Sequence, residues 1–138
     1  LAALLAPLLS AHDPVTMVPS ERLRPPSPDH LLGTDAMGRD LWARVLWGAR
    51  ISLVVGAGAT LGAVVIGLPL GLVSGYFRRL DPFVMRVMDG LMAIPGILLA
   101  VALIAIVRPS LTTVMIAILI PEIPSVVRLV RARVLSAR

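Results

Sequence analysis

Apolar residues run along this chain in long unbroken stretches, and the charges collect in short segments between them. Residues 51–77 are the clearest case, 27 positions without a charge. At helical rise that is about 40 Å, longer than the roughly 30 Å hydrocarbon core of a bilayer. Tilt or a protruding end absorbs the excess. A second apolar run covers residues 90–107, with Met85, Val87 and Met88 extending its start and a kink expected at Pro95-Gly96. The third begins at Leu111, is interrupted by Pro121-Glu122-Ile123-Pro124, and continues into Arg128, Arg131, Arg133 and Arg138. The pattern predicts an all-α, polytopic transmembrane protein with spans near 51–77, 87–107 and 111–130. Residues 1–11 are apolar but too short to span; they read as the end of an earlier transmembrane helix, with the h-region of a signal peptide as the alternative.

Between that stub and the first full span lies the polar section, residues 12–50. Pro14, Pro19, Pro25, Pro26 and Pro28 exclude a helix interior or a central strand over its first half and predict an extended connector. Further on, Thr34 or Asp35 is placed to cap a helix through Leu41, Val45 and Leu46. Leu41, Trp42, Val45 and Leu46 share one side, while Arg39, Asp40 and Arg44 lie elsewhere. With Trp42 and Trp47 present, the segment reads as an amphipathic helix lying in the membrane interface. An ordinary linker helix is the alternative.

Small residues inside the first long span add a packing prediction. Ala59, Ala63, Gly67, Gly71 and Gly75 form an uninterrupted i+4 row, with Gly58 and Gly62 beside it. Such a row lets another helix approach closely, and close packing drives helix association in lipid. This face is therefore expected to meet protein. Pro69 removes one backbone donor and is a candidate kink.

Composition agrees with the membrane reading: 57% of the 138 residues are hydrophobic and 15% charged, against about a quarter charged in ordinary soluble domains. All thirteen basic residues are Arg. The net charge of +5 does not point to nucleic acid, because the arginines flank apolar runs and few have aromatic neighbours. Their distribution gives an orientation instead. Arg78, Arg79 and Arg86 follow the first span and four more arginines end the third, whereas Arg108 stands alone between the second and third. The positive-inside rule places the Arg78–Arg86 turn and the C-terminal end in the cytoplasm and residues 12–50 outside.

No catalytic set emerges. The absence of cysteine excludes disulfides and thiolate metal sites, and the absence of lysine excludes a Walker-type phosphate loop. His12 and His30 have no metal-ligand spacing, so neither a cofactor nor a metal is expected. Glu122 is the one carboxylate well inside a predicted span, between two prolines. It either contributes to a polar pathway or is paired structurally, with Arg128 the nearby candidate. Asp89 and Arg86 read as interfacial.

The segment HLLGTDAMGRDLWARVLWGARISL closely resembles the pattern LGTDxxGRDxxxRxxxGxRxSL of the permease subunits of dipeptide, oligopeptide and nickel ABC importers, specifically their C-type permease. Leu32, Gly33, Thr34, Asp35, Gly38, Arg39, Asp40, Arg44, Gly48, Arg50, Ser52 and Leu53 carry the match. The resemblance continues through residues 67–77, Asp81, Met85-Arg86, Asp89, Ile94-Pro95 and residues 126–138. It implies a six-span subunit of a bacterial or archaeal inner membrane. Its partners would be a second homologous permease, two cytoplasmic ATPases that hydrolyse the ATP, and an external substrate-binding protein. It also implies that this chain is an N-terminal piece, ending before the cytoplasmic loop that docks on the ATPase. The permease would be no enzyme itself. Two other classes stay open: a non-transporting membrane scaffold, and a secondary carrier working through Glu122.

Overall fold

The structure is a computed structural model and describes residues 2–108 and 110–137. The turn expected at Arg108-Pro109-Ser110 includes Pro109, which lies outside the described residues, as do Leu1 and Arg138. The described residues are helical without a strand: α1 (Ala6–Leu9), a 3-10 turn (Pro19–Glu21), α2 (Leu41–Tyr76), α3 (Asp81–Ala93), α4 (Gly96–Ile106) and α5 (Leu111–Ser136). They divide into two compact units, Leu1–Val54 and Val55–Arg138.

In the first unit the connector folds back on itself, with the short 3-10 turn as its one helical element among the described residues. Leu23 N donates to Asp35 O (3.1 Å) and Thr34 N to Arg24 O (3.1 Å), which pairs residues 23–24 with 34–35. Residues 33–41 close into a tight loop through Asp35 N to Arg39 O (3.0 Å) and Leu41 N to Gly33 O (3.1 Å). The helix expected through Leu41, Val45 and Leu46 forms, but no break separates it from the first span. Residues 41–50 are the opening turns of α2, which runs unbroken for 36 residues. Its cap is Asp40, whose Oδ2 accepts from Ala43 N at 2.7 Å, and not Thr34 or Asp35. Those two are spent inside the loop.

In the second unit α2, α3 and α5 enclose a core of Ala63, Met88, Ile123 and Val127. Leu70, Val84, Leu91 and Leu119 pack around it. Two helices, α2 and α5, are long and apolar enough to cross a membrane, and α3 with α4 makes a third crossing if the bent pair is one span. The expected span over 87–107 is broken: α3 and α4 meet at 80°. Pro95 causes the break, since the residue before a proline is pushed out of the helical region. Ile94 accordingly takes φ −93°, ψ 121°. Pro69, Pro121 and Pro124, by contrast, sit inside continuous helices. Each deletes a single ladder hydrogen bond, and helices in membrane proteins accommodate that where neighbouring helices support them.

Candidate functional site

The motif residues 33–44 account for one another in the first unit. Gly33 and Gly38 both take positive φ, 75° and 73°. A side chain on either would also run into backbone, at Arg24 O and Val18 O respectively. Between them Asp35 organises the loop. Its Oδ1 accepts from Met37 N (2.8 Å) and Arg39 N (3.0 Å), and its Oδ2 from Arg39 Nε (2.8 Å) and from Arg44 Nη1. Burial alone would raise the Asp35 pKa, but the two backbone N–H groups and the two guanidinium groups outweigh it and hold the carboxyl well below the usual range. Thr34 Oγ1 donates to Glu21 O and accepts from Arg24 N at 2.9 Å, fastening the loop to the connector.

Asp40 does two jobs. While Oδ2 caps α2, Oδ1 lies 3.0 Å from His30 Nδ1. The other ring nitrogen, Nε2, is 3.2 Å from Glu21 Oε2. Bonding to Asp40 is the largest influence on the His30 pKa. With the weaker help of Glu21 it overcomes the opposing effect of burial and raises the pKa above the ordinary histidine value. His12, eighteen positions earlier in the chain, places its ring against His30 with centroids 5.0 Å apart. Sequence spacing offers no reason to group these histidines, because the folded connector alone brings them together. Of the remaining motif residues, Gly48 has open space around its α-carbon, and Arg50 lies over the Trp47 ring at 5.3 Å.

The second unit holds the predicted small-residue row. Ala59, Ala63, Gly67, Gly71 and Gly75 are all buried, and the row extends back to Val55. Its partner is α5. A Cβ added to Gly67 would lie 2.8 Å from Val126 Cβ, one on Gly71 2.7 Å from Val130 Cβ, and one on Gly75 2.7 Å from Val134 Cβ. Gly58 and Gly62 face Met115 and Leu119 in the same manner. Residue numbers rise together on both sides of the seam, so α2 and α5 run parallel.

Charged pairs fasten α3 to α5 beside this seam. Arg131 grips Asp81 with two bonds, Nε to Oδ1 (2.5 Å) and Nη2 to Oδ2 (2.6 Å), and Ser74 Oγ of α2 donates to the same Oδ1 (2.5 Å). Arg128 reaches Asp89 at 2.6 Å and not Glu122, so the expected Glu122–Arg128 pair is absent. Glu122 is exposed on α5 and has no ion-pair partner among the described residues. The Asp81–Arg131 pair was hidden in the sequence, fifty positions apart.

No protein-family model matches the chain. Curated proteins do, along its entire length. It is 46% identical over 139 residues to the dipeptide transport system permease protein DppC of Alkalihalophilus pseudofirmus, covering 100% of this chain and 46% of that protein. It is 51% identical over 138 residues to the probable peptide ABC transporter permease protein y4tQ of Sinorhizobium fredii, covering 100% and 47%. With the probable D,D-dipeptide transport system permease protein DdpC of Escherichia coli it shares 42% over 139 residues, covering 100% and 47%. The chain is a homologue of peptide-transport permease proteins. It spans about half the length of the relatives it matches. These permease homologues are transport components by name, and two long apolar helices and a bent pair are the features of this chain that suit a membrane.

Proposed function

We propose that this chain forms part of the membrane-spanning permease subunit of an ATP-driven importer for di- or oligopeptides or a related small solute. The observation that carries the reading is identity of 42–51% to named permeases over the whole chain. In such a machine ATP hydrolysis belongs to two cytoplasmic ATPase subunits, a second homologous permease completes the pathway, and an external binding protein delivers the solute. The permease itself performs no chemistry on the substrate. It resides in a bacterial or archaeal inner membrane as a multi-pass protein.

Topology supports that placement. Helices α2 and α5 are parallel neighbours, and two parallel spans require the chain between them to return across the bilayer. Among the described residues α3 and α4 are the helices that lie between them, so the 80° pair serves as one broken crossing and not a re-entrant loop. The arginine distribution puts residues 78–86 and the end of α5 on the cytoplasmic side, and residues 12–50 outside. In this assignment residues 1–11 end a first span and the 33–44 loop is an external element that starts α2 at a fixed point. Glu122, exposed and without an ion-pair partner among the described residues, is directed at the pathway or a partner subunit.

The test is uptake by the complete permease reconstituted with its ATPases and binding protein. Peptide accumulation should require ATP hydrolysis and survive an uncoupler. Uptake that continues without ATP but collapses with the uncoupler would assign a secondary carrier. Failure of the permease to co-purify with any ATPase would leave the scaffold reading standing.

A further inference from the structure

The surroundings of His12 and His30 go beyond anything the permease reading uses. One ring nitrogen of His12, one of His30 and one carboxylate oxygen of Asp40 all lie within 4.8 Å of one another. A cavity of about 200 Å³ opens beside them, and Asp13 and Glu21 line it as well. His30 and Asp40 are buried, 6% and 5% exposed. His12 is exposed, and neither of its ring nitrogens has a hydrogen-bond partner among the described residues.

We propose that His12, His30 and Asp40 form a binding site for a divalent transition-metal ion of the imidazole-preferring class, represented by Zn²⁺. Ligands about 2.0–2.2 Å from a tetrahedral ion sit roughly 3.3 Å from each other. His30 Nδ1 and Asp40 Oδ1, at 3.0 Å, already hold nearly that separation. The ion replaces the proton between them. His12 closes the remaining gap by rotating its solvent-facing ring, and water completes the shell. Supporting partners are in place. Glu21 accepts from His30 Nε2–H, which fixes the tautomer that leaves Nδ1 a lone pair. Ala43 N orients the Asp40 carboxylate through Oδ2. The donor set also selects the ion: two imidazoles and one carboxylate suit Zn²⁺ or Cu²⁺, whereas Mg²⁺ and Ca²⁺ require mostly oxygen. The His30 ion pairs by themselves leave the approach of the exposed His12 ring unexplained. A shared ion explains it, and it would tie residues 12, 30 and 40 into one cross-link in a connector whose regular structure is one short 3-10 turn among the described residues.

The experiment uses the chain in detergent, without an affinity tag and stripped with a chelator. Zinc content is measured after equilibrium dialysis, and Cu²⁺ is used as a paramagnetic probe. One Zn²⁺ per chain is expected. The His12→Gln variant should weaken binding at least about tenfold. The Cu²⁺ spectrum should show coupling to two imidazole nitrogens in the wild type and one in His12→Gln. Because His12 is exposed, the metal-free variant should melt like the metal-free wild type, so lost binding cannot be ascribed to lost folding. Zinc binding unchanged in His12→Gln, no stoichiometric zinc at about 100 µM (a binding free energy of about −5.5 kcal/mol), or equal competition by Mg²⁺ would each overturn the site.

Discussion

Placing a methyl group on the α2–α5 seam tests whether close backbone approach holds the second unit together. At Gly71 a Cβ would sit 2.7 Å from Val130 Cβ and 2.9 Å from the Val127 carbonyl oxygen. Comfortable carbon contacts need about 3.5–4.0 Å, so the helices must part by roughly 1 Å or Val130 must move. Overpacking of that size costs about 1–3 kcal/mol. At Gly56 an added Cβ meets nothing within 4 Å, so Gly56→Ala should be neutral or gain up to about 1 kcal/mol from helix propensity. Because the propensity gain is common to both positions within α2 and cancels, Gly71→Ala is expected to be roughly 1–3 kcal/mol less stable than Gly56→Ala. Gly75 sharpens the point because its close neighbours are all Val134 side-chain atoms. Moving the Cβ across the seam, as Gly75→Ala with Val134→Gly, should recover at least about 1 kcal/mol in a double-mutant cycle. Gly71→Ala with Val130→Gly should recover less, because the Val127 carbonyl stays where it is. Reversible unfolding in mixed detergent–SDS micelles, followed by helical circular dichroism, reads all of these. If Gly71→Ala matched Gly56→Ala, or Gly75 and Val134 showed no coupling, the seam would not be the contact that stabilises this unit.

The two arginine–aspartate pairs between α3 and α5 should separate in the same assay. Arg131→Ala breaks a bidentate, partly buried pair (side chains 31% and 23% exposed) and should cost roughly 1–2 kcal/mol, whereas Arg128→Ala, whose pair is 43% and 63% exposed, should cost under about 0.5 kcal/mol. Gly38→Ala forces a left-handed alanine at φ 73° against Val18 O, and should lose at least about 1 kcal/mol, seen as faster hydrogen exchange of the Arg39 and Leu41 amides. Glu122→Gln should leave the melting transition of the chain unchanged while lowering uptake by the full importer. A lower melting temperature would place Glu122 in a structural contact instead.

The sequence by itself determined the helical class, the apolar stretches and the small-residue row. Each rests on local periodicity and on what lipid excludes, and neither needs knowledge of the partner. It also supplied the motif of residues 33–44 and its resemblance to peptide importers, since those glycines and charges stand in one short segment. Tertiary structure decided what met what. The row of Ala59, Ala63, Gly67, Gly71 and Gly75 looks the same in sequence whether it faces a neighbouring subunit or the chain's own α5. Only the register of Val126, Val130 and Val134 selects the latter. Prolines showed the same dependence: Pro95 breaks its helix, while Pro121 and Pro124 ride inside α5 with Pro124 buried in its packing. Asp40 became the cap because the loop had already consumed Thr34 and Asp35. Charges found partners through space, Asp81 with Arg131 and Asp89 with Arg128. His12 meets His30 for the same reason, because a proline-rich connector carries no periodicity from which its folded path could be read.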